Sequence, residues 1–331
     1  MPSAGSLLGA SAAMQEVFRL IARVGPTEAS VLLTGESGTG KELAARAIHD
    51  CSARRGKPFI GINCGAIPAG LIEAELFGCE QGKLGGMRAQ AGVFERAQGG
   101  TLLLDEITEI PKGLQIRLLH VLATGRFYRV GAGTEYSCDV RFIAATNRCP
   151  LQAVQSGQLR EDLLYRLAVF PIEMPPLRSR GNDTELLARH FLSELNVQAR
   201  TQKRLSALAY ETLRQHSWPG NVRELKNCME RAFILGDPML ELKPLVQNGV
   251  ARSHPAAHAN HAAHGPQGGD AERLEIRVGS RIYDMERSLI EATLDYFKGN
   301  KRRAANALGC SLKTLYNKLN GYSQSQECAN S

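Results

Sequence analysis

The run Gly35-Glu36-Ser37-Gly38-Thr39-Gly40-Lys41 has the glycine spacing and closing lysine of a loop that wraps phosphate groups. Glycines let successive backbone N–H groups turn toward one anion. The N-terminus of a following helix adds its positive dipole end, and Lys41 reaches the terminal phosphates. Such loops usually carry Ser or Thr after the lysine, but Glu42 stands there, so Mg2+ must depend on other ligands. Further along, Gly99-Gly100-Thr101-Leu102-Leu103-Leu104-Asp105-Glu106 is an apolar run ending in two acids. Asp105 is suited to hold Mg2+ or its water, and Glu106 to polarise an attacking water. An acidic pair at a strand end is by itself equally consistent with a solvated surface; beside a phosphate loop it implies hydrolysis of ATP with Mg2+.

These groups need a scaffold that brings them to one place. Val31-Leu32-Leu33-Thr34, Phe59-Ile60-Gly61-Ile62, Thr101-Leu102-Leu103-Leu104 and Val140-Arg141-Phe142-Ile143-Ala144-Ala145 are short apolar runs suited to strands covered on both faces. Helical stretches lie between them, which predicts an α/β fold with a parallel sheet over residues 6–174. From Asp183 the strand runs disappear and amphipathic patterns such as Leu186-Leu187-Ala188-Arg189-His190-Phe191-Leu192 predict a helical subdomain over 175–245. Residues 246–275 turn to Ala, His, Gly and Pro, a composition that cannot bury enough apolar surface to offset chain entropy, and read as a linker. His254, His258, His261 and His264 lie there without acidic or cysteine partners, so linker composition is preferred to a metal site.

The last region, 276–323, reads as an all-α unit: one helix from Ile282 to Phe297, then two shorter ones between Lys301 and Tyr322 broken at Gly309. Ser311 is a suitable N-cap for the second, and Ala304, Ala305, Leu308, Leu312, Leu315 and Leu319 would form a small core. Lys313, Thr314, Asn317 and Lys318 then face outward to read a DNA groove, while Lys301, Arg302 and Arg303 suit the phosphate backbone. Between Phe297 and Tyr322 every charged residue is Lys or Arg, which places part of the chain's net charge of +7 on this module. The apolar positions of the preceding helix would support dimerisation.

At 43% hydrophobic and 22% charged, the 331-residue chain has the balance of a globular protein. No apolar run approaches the roughly 20 residues that cross a bilayer, and Met1-Pro2-Ser3-Ala4-Gly5 lacks a signal-peptide start. A cytoplasmic protein with no membrane contact is expected. Eight cysteines occur singly, without a Cys-x-x-Cys pair, and read as reduced, mostly buried thiols. The first strand begins at Val31, so no receiver domain is expected ahead of it.

Taken together these segments resemble the NtrC/PspF class of bacterial enhancer-binding proteins, AAA+ activators of sigma-54 RNA polymerase. The resemblance rests on the phosphate loop with Glu42, on Glu75-Leu76-Phe77-Gly78, on the Gly99 to Glu106 run and on Arg160-Glu161-Asp162-Leu163-Leu164-Tyr165-Arg166-Leu167. It extends to Pro175-Pro176-Leu177-Arg178-Ser179-Arg180 and Trp218-Pro219-Gly220-Asn221-Val222-Arg223-Glu224-Leu225, and the C-terminal module resembles a Fis-type helix-turn-helix. The resemblance implies that Asn63 is a switch residue holding Glu106 until the γ-phosphate is sensed, that Thr146-Asn147 is a first sensor and that Arg223 is a second. It implies that Arg160 and Arg166 are arginine fingers entering a neighbouring subunit's site, in a ring that is a hexamer by resemblance, with paired DNA-binding domains. On their residue types alone, each of these reads more readily as a surface ion pair or a capping group.

The sequence departs from the family in the loop that grips sigma-54, which usually reads Gly-Ala-Phe-Thr-Gly-Ala. Here it is Gly82-Lys83-Leu84-Gly85-Gly86-Met87, with both glycines at their spacing but the aromatic ring and the hydroxyl lost. Two outputs are therefore open. One is a ring ATPase bound to upstream DNA that activates the sigma-54 holoenzyme and is controlled by a protein acting in trans or by its own abundance. The other is a sigma-54-independent DNA-binding regulator that uses nucleotide mainly to control assembly.

Overall fold

The computed structural model describes residues 3–4, 7–80, 89–236, 238–244, 282–297, 299–301, 304 and 315. The chain divides into two units, Met1–Arg252 and Ser253–Ser331.

Five parallel strands organise the first unit: β1 Val31–Thr34, β2 Phe59–Asn63, β3 Thr101–Asp105, β4 Arg141–Thr146 and β5 Phe170–Glu173, in the spatial order β2-β3-β4-β1-β5. The four apolar runs of the sequence form β1 to β4. Their side chains alternate between faces, as a strand's period of two requires. Leu32, Leu102, Leu104 and Ala144 enter one core, and Val31, Leu33, Leu103, Ile143 and Ala145 enter the other. The second core is covered by α1 Ala12–Val24 and α2 Lys41–Asp50. Met14, Val17, Ile21 and Val24 recur at helical spacing on α1, whose first turn is capped by the Ser11 hydroxyl accepting from the Met14 N–H. The first core is covered by α3 Ile72–Phe77, α4 Val93–Arg96, α5 Lys112–Thr124, α6 Pro150–Gln155 and α7 Glu161–Leu167.

Two features were not anticipated from the patterns. β5 is an edge strand with Pro171 opposite Leu32 of β1, and its Phe-Pro-Ile-Glu sequence carries a residue normally read as strand-breaking. An antiparallel hairpin, Arg126–Tyr128 with Glu135–Ser137, follows α5.

After β5 the chain makes a helical subdomain of α8 Asp183–Ala199, α9 Ala207–Gln215 and α10 Asn221–Leu235 around Trp218, Leu187, Leu213, Leu225 and Met229. Trp218 is 1% exposed and its indole N–H donates to the Leu213 carbonyl at 3.1 Å. Strand structure does not vanish here as the pattern suggested: Arg204–Leu205 and Met239–Leu240 form a short parallel pair.

In the second unit, α11 spans Ile282–Tyr296, and Ile290 is buried with Ala304 and Leu315, two residues expected in that small core. The linker 246–275, the loop Gly82 to Met87, and Arg302, Arg303, Ser311, Lys313, Thr314, Asn317 and Lys318 lie outside the described residues. Among the described residues no helix is long and apolar enough to cross a membrane, and no cluster of three potential metal ligands occurs. All described cysteines are free thiols. Cys64, Cys79 and Cys228 are buried, Cys138 is half-buried, and Cys51 and Cys149 are exposed, where mostly buried thiols were expected.

Candidate nucleotide site

Parallel strands end together, so the residues that follow them meet at one edge of the sheet. In register, Asn63 lies beside Asp105, and Thr34 beside Thr146. Gly35 thus leaves β1 at the edge where Asp105 closes β3 and Asn147 follows β4.

Gly35, Gly38 and Gly40 have φ of 139°, 78° and 101°, conformations that L side chains rarely adopt, and α2 begins directly at Lys41. The Lys41 ammonium donates to the carbonyls of Gly35 (2.7 Å) and Glu36 (3.1 Å). Burial lowers its pKa below the ordinary lysine value, while the Asp105 and Glu106 carboxylates act in the opposite direction. Glu42 is exposed in the first turn of α2.

Asp105 and Glu106 sit at the end of β3. Glu106 has φ of 53°, strained for a residue with a β-carbon, and its N–H donates to the Asp105 carboxylate at 3.0 Å. Asn63 was expected to hold Glu106. Its amide nitrogen instead faces Asp105, at 3.5 Å, and its carbonyl oxygen accepts from the N–H groups of Gly65 (2.9 Å) and Ala66 (3.1 Å). In this conformation Asn63 therefore orders the turn after β2 and leans on Asp105. Cys64 follows it; burial, with Asp105 and Glu106 nearby, pushes this thiol up to about 12 and keeps it protonated.

The helical subdomain closes the outer side of the loop. Arg223 donates to the Ser37 hydroxyl at 3.0 Å. Arg178 makes a two-pronged pair with Glu36 (2.8 and 2.5 Å), and the Asn221 amide donates to the same carboxylate at 3.0 Å. The Arg178 bond, then the Asn221 bond, bring the Glu36 carboxyl down to about 2. Arg180, 1% exposed, donates to the carbonyls of Thr39 (2.6 Å) and Pro175 (2.8 and 2.9 Å). Burial lowers its guanidinium to about 10, so it stays charged at neutral pH. Arg178, Arg180 and Asn221 stand in the two motifs already noted, but nothing in their spacing assigned them to the loop.

Arg160 and Arg166 are exposed, at the start and in the last turn of α7. The Arg160 guanidinium pairs with Asp162 (3.0 and 2.7 Å), and Arg166 donates to the Leu122 carbonyl (3.2 and 2.9 Å). Asn147 is exposed beyond β4, and Thr146 is buried with its hydroxyl accepting from the Arg148 N–H at 3.1 Å. Lys301, of the basic residues expected on DNA, is helical and exposed.

A five-stranded parallel sheet with this order, a glycine loop opening a helix, an acid-ended neighbouring strand and a helical subdomain bonded to the loop define a P-loop ATPase of the AAA+ type. Residues 7–173 match the sigma-54 interaction domain, 178–262 the AAA+ ATPase lid domain and 282–322 the bacterial regulatory protein, Fis family. The chain belongs to the NtrC-type family of sigma-54 interaction domain proteins, and is an ATP-hydrolysing, DNA-binding transcription regulator.

It is 42% identical to the transcriptional regulator NtrC of Azospirillum brasilense, over 95% of this chain and 68% of that protein. It is 44% identical to FlbD of Caulobacter vibrioides, over 94% of this chain and 69% of that protein. The crystal structure of NtrX from Brucella abortus in complex with ATP superimposes with a TM-score of 0.68 at 33% identity, over 96% of this chain and 69% of that one.

Proposed function

We propose that this chain is a cytoplasmic ring ATPase that binds upstream DNA and turns ATP hydrolysis into opening of a promoter held by the sigma-54 holoenzyme. The convergence of Lys41, Asp105 and Glu106 at one sheet edge, with Arg223 on the loop, carries this reading. Residues Gly35 to Lys41 would wrap the phosphates, and Asp105 would hold Mg2+, which when bound neutralises phosphate charge. Glu106 would accept a proton from the attacking water, and Asn63 would move between Asp105 and Glu106 as Asn147 and Arg223 report on the terminal phosphate. Arg160 and Arg166, on the exposed face of α7, would complete the site of a neighbouring copy, in a hexamer with its Fis-type domains paired on DNA through Lys301, Arg302, Arg303, Ser311, Lys313, Thr314, Asn317 and Lys318.

Leu84 and Gly85, where family members carry Phe and Thr, favour a second reading. In it the ATPase is retained and promoter opening is not, and nucleotide controls assembly of a sigma-54-independent regulator. Open-complex formation on a sigma-54 promoter, with ATP and with a non-hydrolysable analogue, separates the two. ATP-dependent opening supports the first; no opening by protein that hydrolyses ATP and binds DNA supports the second.

A further inference from the structure

A phosphate loop works by pointing consecutive N–H groups at one anion, so something must fix the direction of its peptide planes. In a trans peptide the carbonyl of one residue and the N–H of the next point opposite ways, so holding the carbonyl aims the N–H. Here the Ser37 carbonyl accepts from the Asn221 amide (3.1 Å), the Gly38 carbonyl from the Val222 N–H (3.0 Å) and the Thr39 carbonyl from the Arg180 guanidinium (2.6 Å). Three successive carbonyls are therefore drawn toward the helical subdomain, and the N–H groups of Gly38, Thr39 and Gly40 are turned away from it. The fit is close: a β-carbon on Gly38 would lie 2.4 Å from the Gly220 carbonyl oxygen.

Asn221 is the hub of this contact. It is fully buried at φ of 54°, in the left-handed region that Asn tolerates better than most residues. Its carbonyl oxygen accepts from the Leu177 N–H (2.8 Å) while its amide serves Ser37 and Glu36. Arg178 reaches the same Glu36 carboxylate from the surface.

We propose that Asn221, Arg180 and Arg178 are positioning residues for phosphate binding: the helical subdomain sets the orientation of the loop's N–H groups, and so its affinity for the diphosphate of a bound nucleotide. This rests on the reading of residues 35–41 as the phosphate loop. A subdomain that merely docked there would support the whole nucleotide, base and ribose included; one that aims the N–H groups acts on the phosphates alone.

The test uses the full chain and compares affinity for ADP, by calorimetry, with affinity for adenosine, by displacement of a fluorescent ADP. Asn221→Asp keeps the size and the acceptor for Leu177 but loses the donor to Ser37 and to Glu36. It is expected to weaken ADP about tenfold and adenosine less than about twofold. Arg178→Ala, at a half-exposed position that tolerates truncation, is expected to weaken ADP about threefold, with Arg178→Lys in between because a point charge cannot reproduce the two-pronged bond. Combined with Glu36→Gln it should be no worse than the weaker single variant, since both remove one contact.

Equal losses for ADP and adenosine, or unchanged ADP affinity in folded variants, would overturn the proposal. Should Asn221→Asp fail to fold, Arg178→Ala decides. Unchanged ADP affinity in Lys41→Ala would instead refute the phosphate-loop reading itself.

Discussion

The two ends of the five-stranded sheet use the same residue types for opposite purposes. Where the strands begin, polar groups close on one another. Arg141, 2% exposed, donates to the carbonyls of Val24 (2.8 Å) and Gly25 (2.6 Å), tying β4 to the end of α1. Arg54 joins Glu28, Asp139 and the Gly100 carbonyl, and His49 on α2 meets the Thr101 hydroxyl at 2.9 Å. Where the strands end, Lys41, Asp105, Glu106 and Asn63 converge on a strained turn, and the loop between them is held from behind. At one end the bonds join helix to sheet; at the other they join the helical subdomain to the glycine loop. Burial and charge alone do not distinguish the two. What the donors hold does.

The largest effect that would break this contrast lies on α7. Arg160→Ala is expected to reduce ATP turnover by about 10³ or more while ADP affinity stays unchanged, because the residue is exposed and its proposed role is in a neighbour's site. Normal turnover at saturating ATP would remove it from the working end altogether. Glu106→Gln comes next, with turnover down about 10² to 10⁴ and ATP still bound, checked by single-turnover hydrolysis beside an equilibrium binding assay.

The beginning end should respond in stability instead. Arg141→Leu leaves two buried carbonyls without their charged donor and is expected to cost about 3 kcal/mol in denaturant unfolding, with ATP affinity per folded molecule unchanged. Loss of ATP affinity without loss of stability would erase the division between the ends.

The smallest effect is a pH dependence. Burial lowers the His49 ring below its ordinary pKa of 6.5, with Asp50 opposing and Arg46 and Arg141 reinforcing. The unfolded chain therefore binds this proton more readily. The ring's stabilising contribution is complete above about pH 6.5 and is lost as pH falls through the lowered value. His49→Gln should flatten that part of an unfolding free-energy profile measured from pH 5 to 8, and an unchanged slope would assign it to other groups.

Much of the working end could be read from the chain because its chemistry is local. The glycine loop, Lys41 and the two acids at the end of β3 each lie within a few residues of an apolar strand run, and four of the five strands show as such runs. β5 did not, because Pro171 masks a short edge strand. The outward-facing bonds of the loop were hidden for another reason: Glu36 to Arg178 and Ser37 to Asn221 join residues far apart in sequence, and only the docking of two subdomains brings them together. Asn63 was assigned to Glu106 by resemblance, yet a side-chain amide can serve either of two adjacent carboxylates, and here it faces Asp105. The residues chosen for DNA contact had a compositional basis, and the burial of Ala304 with Leu315 agrees with the small core predicted for that module.

Pro171 also determines what the sheet can do at its outer side. Phe170 and Met174 donate their N–H groups inward, to Ser30 (3.1 Å) and Thr34 (2.8 Å). In a strand the next donor points the opposite way, so the N–H missing at Pro171 is missing from the free edge. Any extended segment that tried to lengthen the sheet there would meet a gap in the ladder at its middle. That edge thereby resists strand-on-strand pairing.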